Sequence, residues 1–208
     1  MSNNTFCLID LEATCDEPQF DRDQMEIIEI GACLVDQDLK IISEFQTYIK
    51  PVVHPQLSAF CTKLTTITQS DVDTAPGFAE AMTTLDAWLE QCASSFGPVA
   101  GWGSWGAYDK KQFDRNASLL KLPAPGISQR NHLNVKQVYA DALGLKRHSP
   151  GLGKALRYEN LQFVGTAHRG IDDAKNIAQL LPVAFGRSES IWRDRPSLNN
   201  VNAGKGFF

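Results

Sequence analysis

Thr5–Glu12 reads TFCLIDLE, an apolar run that closes on two carboxylates two positions apart. Buried-type residues that end in alternation predict a strand. Glu26–Val35 (EIIEIGACLV) and Ser43–Lys50 (SEFQTYIK) follow as further strands, and three in succession predict an antiparallel meander. After Pro51 the period changes. Gln56–Thr65 and Phe78–Gln91 carry helical spacing, with turn and cap chemistry at Ser70, Asp71 and Asp73 between them. Pro98–Trp102 reads as a short strand leading into a helix over Tyr108–Leu120, and Val135–Leu143, Leu152–Tyr158 and Asp172–Phe185 read as three more helices. Pro150 is expected in the first turn of the second of these, and Pro182 is expected to end or kink the last. A meander followed by α/β alternation implies a mixed sheet covered by helices. Periodicity vanishes after Gly186, so the reading is one domain, 1–186, and a C-terminal arm, 187–208, mobile or packed on the domain or a partner.

The composition of the 208 residues, 43% hydrophobic and 21% charged with 15 Gly and 10 Pro, is that of a soluble globular chain and excludes disordered and fibrous classes. The longest nearly apolar run, Ile27–Val35, is interrupted by Glu29 and falls far short of the ~20 residues of a membrane span, so no membrane partner is expected. MSNNTF lacks a secretory pattern, and five scattered cysteines without C-x-x-C or zinc spacing read as reduced thiols of a cytoplasmic protein. The net charge of −4 conceals an asymmetry: residues 1–104 carry four basic against sixteen acidic residues, net −12, and residues 105–208 carry net +8. Lys110-Lys111 with Arg115, Lys146-Arg147-His148, and Lys154 with Arg157 would attract phosphates if the fold gathers them. Charge alone favours the plainer reading, solvated helix faces.

The period of two places Asp10 and Glu12 on one face of the first strand, where like charges need a counter-ion. Converging hard oxygen ligands suit Mg²⁺ or Mn²⁺. Chance supplies roughly 0.65 D-x-E pairs in this chain, so spacing alone decides little. The position after FCLI decides more, because an unpaired carboxylate there is costly. His168-Arg-Gly-Ile-Asp-Asp173 sets a histidine in a loop and Asp173 in the first turn of the last helix, with Asp172 equally able to cap it. An imidazole with a pKa near ~6.5 suits a general base. Gly101-Trp-Gly-Ser-Trp-Gly106 matches a dinucleotide fingerprint, but two tryptophans crowd the turn and no acidic residue follows at the ribose position. Its glycines are read instead as a sharp turn that projects Asp109 from the next helix.

Taken in order, Asp10 and Glu12, then Asp109, then His168 and Asp173 resemble the motifs of the DEDDh 3′→5′ exonucleases, a branch of the ribonuclease H-like fold. FCLIDLEATCDEP, EIIEIGACLVD, QTYIKP, QLSAFCTKLTTITQSDV, SWGAYDKKQF and AHRGIDDAKNIA look like the histone-mRNA 3′-end exonuclease and KapD-like subgroup, from about Thr5 to Phe185. The resemblance implies an α/β fold with a mixed five-stranded sheet flanked by helices. It implies two Mg²⁺ ions, with Mn²⁺ as substitute, held by Asp10, Glu12, Asp109 and Asp173, with His168 activating the attacking water. The implied substrate is a nucleic acid with a free 3′ end, single-stranded or a short overhang, RNA favoured over DNA, degraded to nucleoside 5′-monophosphates. Contacts to the terminal nucleotide would fall on Ala13, Phe60, Leu64 and Trp105.

The chain departs from that pattern at Leu64-Thr-Thr-Ile-Thr68, where relatives usually have L-T-G-I-T, and in a longer stretch between Trp105 and Asp109. No accessory nucleic-acid-binding domain is read before the catalytic one. A DNA-directed proofreading or repair exonuclease shares every catalytic residue; a non-catalytic RNA-binding module and a phosphodiesterase acting on very short substrates remain alternatives, and monomer and homodimer are both open.

Overall fold

The computed structural model describes residues 4–16, 21–145 and 149–186. The expected arm, 187–208, and the basic residues 146–148 lie outside the described residues. Strands β1 (Thr5–Ala13), β2 (Ile27–Val35) and β3 (Ile41–Tyr48) form the expected antiparallel meander. Helices α1 (Ala59–Thr65), α2 (Gln69–Asp73) and α3 (Phe78–Phe96) follow, then β4 (Val99–Ser104), α4 (Tyr108–Leu119), α5 (Gly126–Gln129), β5 (His132–Asn134), α6 (Val135–Ala142), α7 (Leu152–Tyr158) and α8 (Gly170–Ala184). The sheet order is β3-β2-β1-β4-β5, with β4 parallel to both β1 and β5. This is the mixed five-stranded, ribonuclease H-like sheet, with β1 at its centre. No helix among the described residues is long and apolar enough to cross a membrane.

Alternation along β1 builds two cores. Cys7, Ile9 and Leu11 face α3 and α4, meeting Leu85, Leu89, Phe113 and Ala117. Phe6 and Leu8 face the other way, onto Tyr139 of α6, Leu156 of α7 and Ile177 and Leu181 of α8. Asp10 and Glu12 continue the second series, so the same period that buries Phe6 and Leu8 carries both carboxylates to the α8 side.

Several boundaries differ from the sequence reading, each for a local reason. The turn chemistry at Ser70–Asp73 forms the short helix α2, because Thr68 and Asp71 make a capping box that nucleates it. Helix α1 starts at Ala59 rather than Gln56, since Ser58 caps it by accepting the Cys61 amide at 2.9 Å. Pro150 stands before the N-cap Gly151 instead of inside the first turn. Pro182 lies within α8, which runs on to Ala184; in the last turn the ring removes one intrahelical bond and the rest of the helix is already formed. Strand β5 is three residues long, too short to show a period.

Candidate active site

Two glycines bring the chemistry together. Gly31 of β2 pairs with Asp10 of β1, and a Cβ built on Gly31 would stand 1.8 Å from the amide nitrogen of Ile171. Glycine is required by this backbone-to-backbone approach, which seats the N-terminus of α8 directly on the sheet beside Asp10. Asp173, in the first turn of α8, thereby turns toward the end of β1. Asp109, in the first turn of α4, reaches the same strand: its Oδ1 accepts the Leu11 amide at 3.1 Å, one residue from each of Asp10 and Glu12.

His168 precedes α8 in a left-handed conformation, φ 61°. Its amide donates to Asp173 Oδ2 at 3.1 Å, and its ring is exposed. One ring nitrogen and one carboxylate oxygen each of Glu12 and Asp173 all lie within 4.8 Å of one another. Asp172 does not cap α8, a position taken by Arg169; instead its Oδ2 accepts the Thr166 amide at 2.8 Å and closes the loop. The four acidic positions read from the sequence, with the histidine, therefore occupy one end of the sheet.

The electrostatics are those of a cluster that lacks compensation. Burial pushes the Glu12 carboxyl up to about 9, with repulsion from Asp173, Glu29 and Asp109 adding to it. Burial raises Asp173 to about 7 against the pull of the His168 amide. Asp109 rises to about 6 through burial, held down by hydrogen bonds from Ser104 and the Leu11 amide. Asp10 is driven well above the carboxylate range by burial and then by Asp109, Asp173, Glu12 and Glu29. A divalent cation removes this penalty, and the donors, carboxylate oxygens with an imidazole beside them, suit one.

The four expected nucleotide contacts lie on three parts of the chain. Ala13 ends β1, and its carbonyl accepts the Cys61 thiol of α1 at 3.7 Å, while Ser58 Oγ donates to the Cys15 carbonyl at 2.7 Å. These bonds hold Phe60 and Leu64 of α1 near the strand end, where with Ala59 and Lys63 they line a cavity of about 480 Å³. The loop before α1 is pinned by Glu26, whose carboxylate accepts the amides of Val52, Val53 and His54 at 2.7, 2.9 and 2.8 Å. Trp105 is half-buried against Tyr139 with its indole N–H given to the Pro150 carbonyl at 3.1 Å.

Sequence reasoning passed over Glu29 except as a break in an apolar run. It is fully buried opposite Glu12, and both of its oxygens are engaged by Arg169. A charge amid nine residues of apolar strand was the signal available. Ser104, which faces Asp109, carried no such signal.

A family model described as Exonuclease, of the RNase T type, matches residues 7–181. The chain belongs to the exonuclease family. Within that family it is 34% identical over 186 residues to the Homo sapiens protein ERI1 exoribonuclease 3, a match covering 85% of this chain and 52% of that protein. The chain thus spans about half the length of that relative. Among solved structures, the nuclease domain of 3′hExo, a DEDDh family member, bound to rAMP, superposes with a TM-score of 0.80 at 30% identity, covering 88% of this chain and 92% of that one. A second, described as 3′-end specific recognition of histone mRNA stem-loop by 3′-exonuclease, gives TM-score 0.80 at 28% identity, covering 88% of this chain and 65% of that one. DEDDh exonucleases depend on divalent metal, and Glu12, His168 and Asp173 form a candidate metal cluster.

Proposed function

We propose that this chain is a 3′→5′ exonuclease that releases nucleoside 5′-monophosphates from RNA 3′ ends. The observation that carries the reading is the meeting of Glu12, Asp173 and the His168 ring within 4.8 Å, beside Asp10 and Asp109. Asp10, Glu12, Asp109 and Asp173 would hold two Mg²⁺ ions, with Mn²⁺ as a substitute. Bound there, the ions would stabilise the entering and leaving oxygens of an in-line displacement at phosphorus.

The chain's own residues supply the rest. His168, exposed at the mouth of the cluster, accepts the proton of the attacking water at a ring nitrogen. The His168 amide keeps Asp173 oriented, and the Leu11 amide does the same for Asp109. Phe60 and Leu64, with Ala13 at the strand end beside them, offer an aliphatic and aromatic surface for the terminal base and sugar, as in sequence-tolerant stacking on single strands. Trp105, half-buried against Tyr139, would complete the contacts to the terminal nucleotide. RNA is favoured because the relatives are named exoribonucleases and one is described with a histone mRNA stem-loop.

The test is incubation with 5′-labelled RNA and DNA of matched sequence, with Mg²⁺ or with chelator. A descending ladder on RNA that chelator abolishes is expected. Equal or faster loss of DNA would replace RNA with DNA as substrate. Retained binding without mononucleotide release would make the chain a binding module.

A further inference from the structure

His168 occupies a conformation that its backbone disfavours, and the residue next to it is anchored far more firmly than a helix N-cap requires. A left-handed φ of 61° is disfavoured for a non-glycine residue, so something must hold it. On one side the His168 amide is bound to Asp173 Oδ2. On the other, Arg169 extends its guanidinium across α8's N-terminus to Glu29 in β2, with Nε 3.2 Å from Oε2 and a terminal nitrogen 3.3 Å from Oε1. That same terminal nitrogen donates to the Tyr48 hydroxyl of β3, and the guanidinium carbon lies 5.4 Å from the Tyr48 ring centre.

Glu29 has no capacity left for anything else. Its Oε2 also accepts the Gly170 amide at 3.1 Å, and its Oε1 accepts Gln46 Nε2 at 2.5 Å. It stands opposite Glu12 on one side and opposite Tyr48 on the other. A fifth carboxylate beside four others is thus spoken for by one tyrosine-supported arginine fork and two further donors. Arginine suits this role where lysine does not, because only a planar fork can meet both carboxylate oxygens and a phenol at once.

We propose that Arg169 is a positioning residue for His168, and that Glu29, Tyr48 and Gln46 form the socket that fixes it. The anchor holds the strained His168 backbone so that its ring stays over Glu12 and Asp173, and Glu29 serves the base instead of a cation. This deepens the exonuclease reading and rests on His168 as its base.

Loss of the cation altogether would leave Glu29 buried and unpaired, so Arg169→Lys, which keeps the charge and removes the fork, is the informative variant. Arg169→Lys is expected to lower kcat on a labelled oligoribonucleotide about 10- to 100-fold with KM little changed, as a displaced base would. His168→Ala/Arg169→Lys is expected to be no slower than His168→Ala alone, because both changes remove one function. Hydrogen exchange gives a readout apart from activity: in Arg169→Lys the His168 amide should lose protection while the Leu11 amide, bound to Asp109, keeps it. Multiplied losses in the double variant, a wild-type kcat in Arg169→Lys, or unchanged His168 protection would overturn the proposal. Full activity in His168→Ala would remove the base itself, a failure visible in that single variant and separate from the exchange result.

Discussion

Gly31 and Gly170 meet backbone to backbone: a Cβ on Gly31 would lie 2.0 Å from the carbonyl carbon of Gly170, and one on Gly170 would lie 2.9 Å from the nitrogen of Gly31. The contact is what lets α8 begin on the sheet itself, with Asp173 in the same first turn as Gly170, which packs on the Asp10 carbonyl. Gly31→Ala forces the helix outward, because the atoms it strikes are backbone. The expected cost is about 3 kcal/mol, a Tm lowered by roughly 6–12 °C in thermal unfolding. Activity should fall further than stability, since Asp173 moves with the helix.

Asp173→Asn should abolish turnover in Mg²⁺ and weaken Mn²⁺ binding in titration calorimetry, because it removes an anionic oxygen from the cluster while leaving the His168 amide an acceptor. His168→Ala should lose about 10²- to 10⁴-fold in kcat and keep both cation and oligonucleotide affinity. Loss of binding in His168→Ala would show a structural histidine.

The raised carboxyls make the metal-free protein pH-sensitive in a defined direction. Asp109, Asp173 and Glu12, lifted by burial to about 6, 7 and 9, hold protons in the folded state that the unfolded chain releases near pH ~4. The folded state therefore binds more protons between these limits, and stability falls as pH rises through them. With chelator present, Tm should decline from pH 5 to pH 9. A fixed Mg²⁺ concentration should oppose the decline, adding about 2.7 kcal/mol, or roughly 5–10 °C, where it reaches 100 times Kd, and more as rising pH deprotonates the carboxyls and lowers Kd.

Thr66 closes α1 at φ 61°, a left-handed position where a β-branched residue is strained. Thr66→Gly should stabilise the fold by about 0.5–1 kcal/mol, the relief of strain exceeding the entropy glycine loses on folding. A urea titration with unchanged slope and a higher midpoint checks it.

The meander, the face shared by Asp10 and Glu12, and the placement of Asp109 and Asp173 in first helical turns were all legible, because each is a local consequence of period or capping. The five-stranded sheet was legible only through resemblance, since β5 is too short to carry a pattern. Glu29 was visible as an interruption, but its partner lies 140 positions away, and no periodicity links residues at that distance. Trp105 gives its indole N–H to the Pro150 carbonyl, 45 positions away, a tertiary bond that sequence spacing does not encode.

Local chemistry in the chain thus determined which groups are acidic, which strand face and helix turns they occupy, and which histidine stands beside them. Tertiary structure decided that they share one point and which acid is withheld from it. Five carboxylates approach the end of β1, and what separates Glu29 from the rest is a guanidinium delivered by the loop before α8. Strand period can aim a side chain, but a long-range ion pair depends on two distant backbones closing to hydrogen-bond distance, and here Gly31 and Gly170 permit that closure.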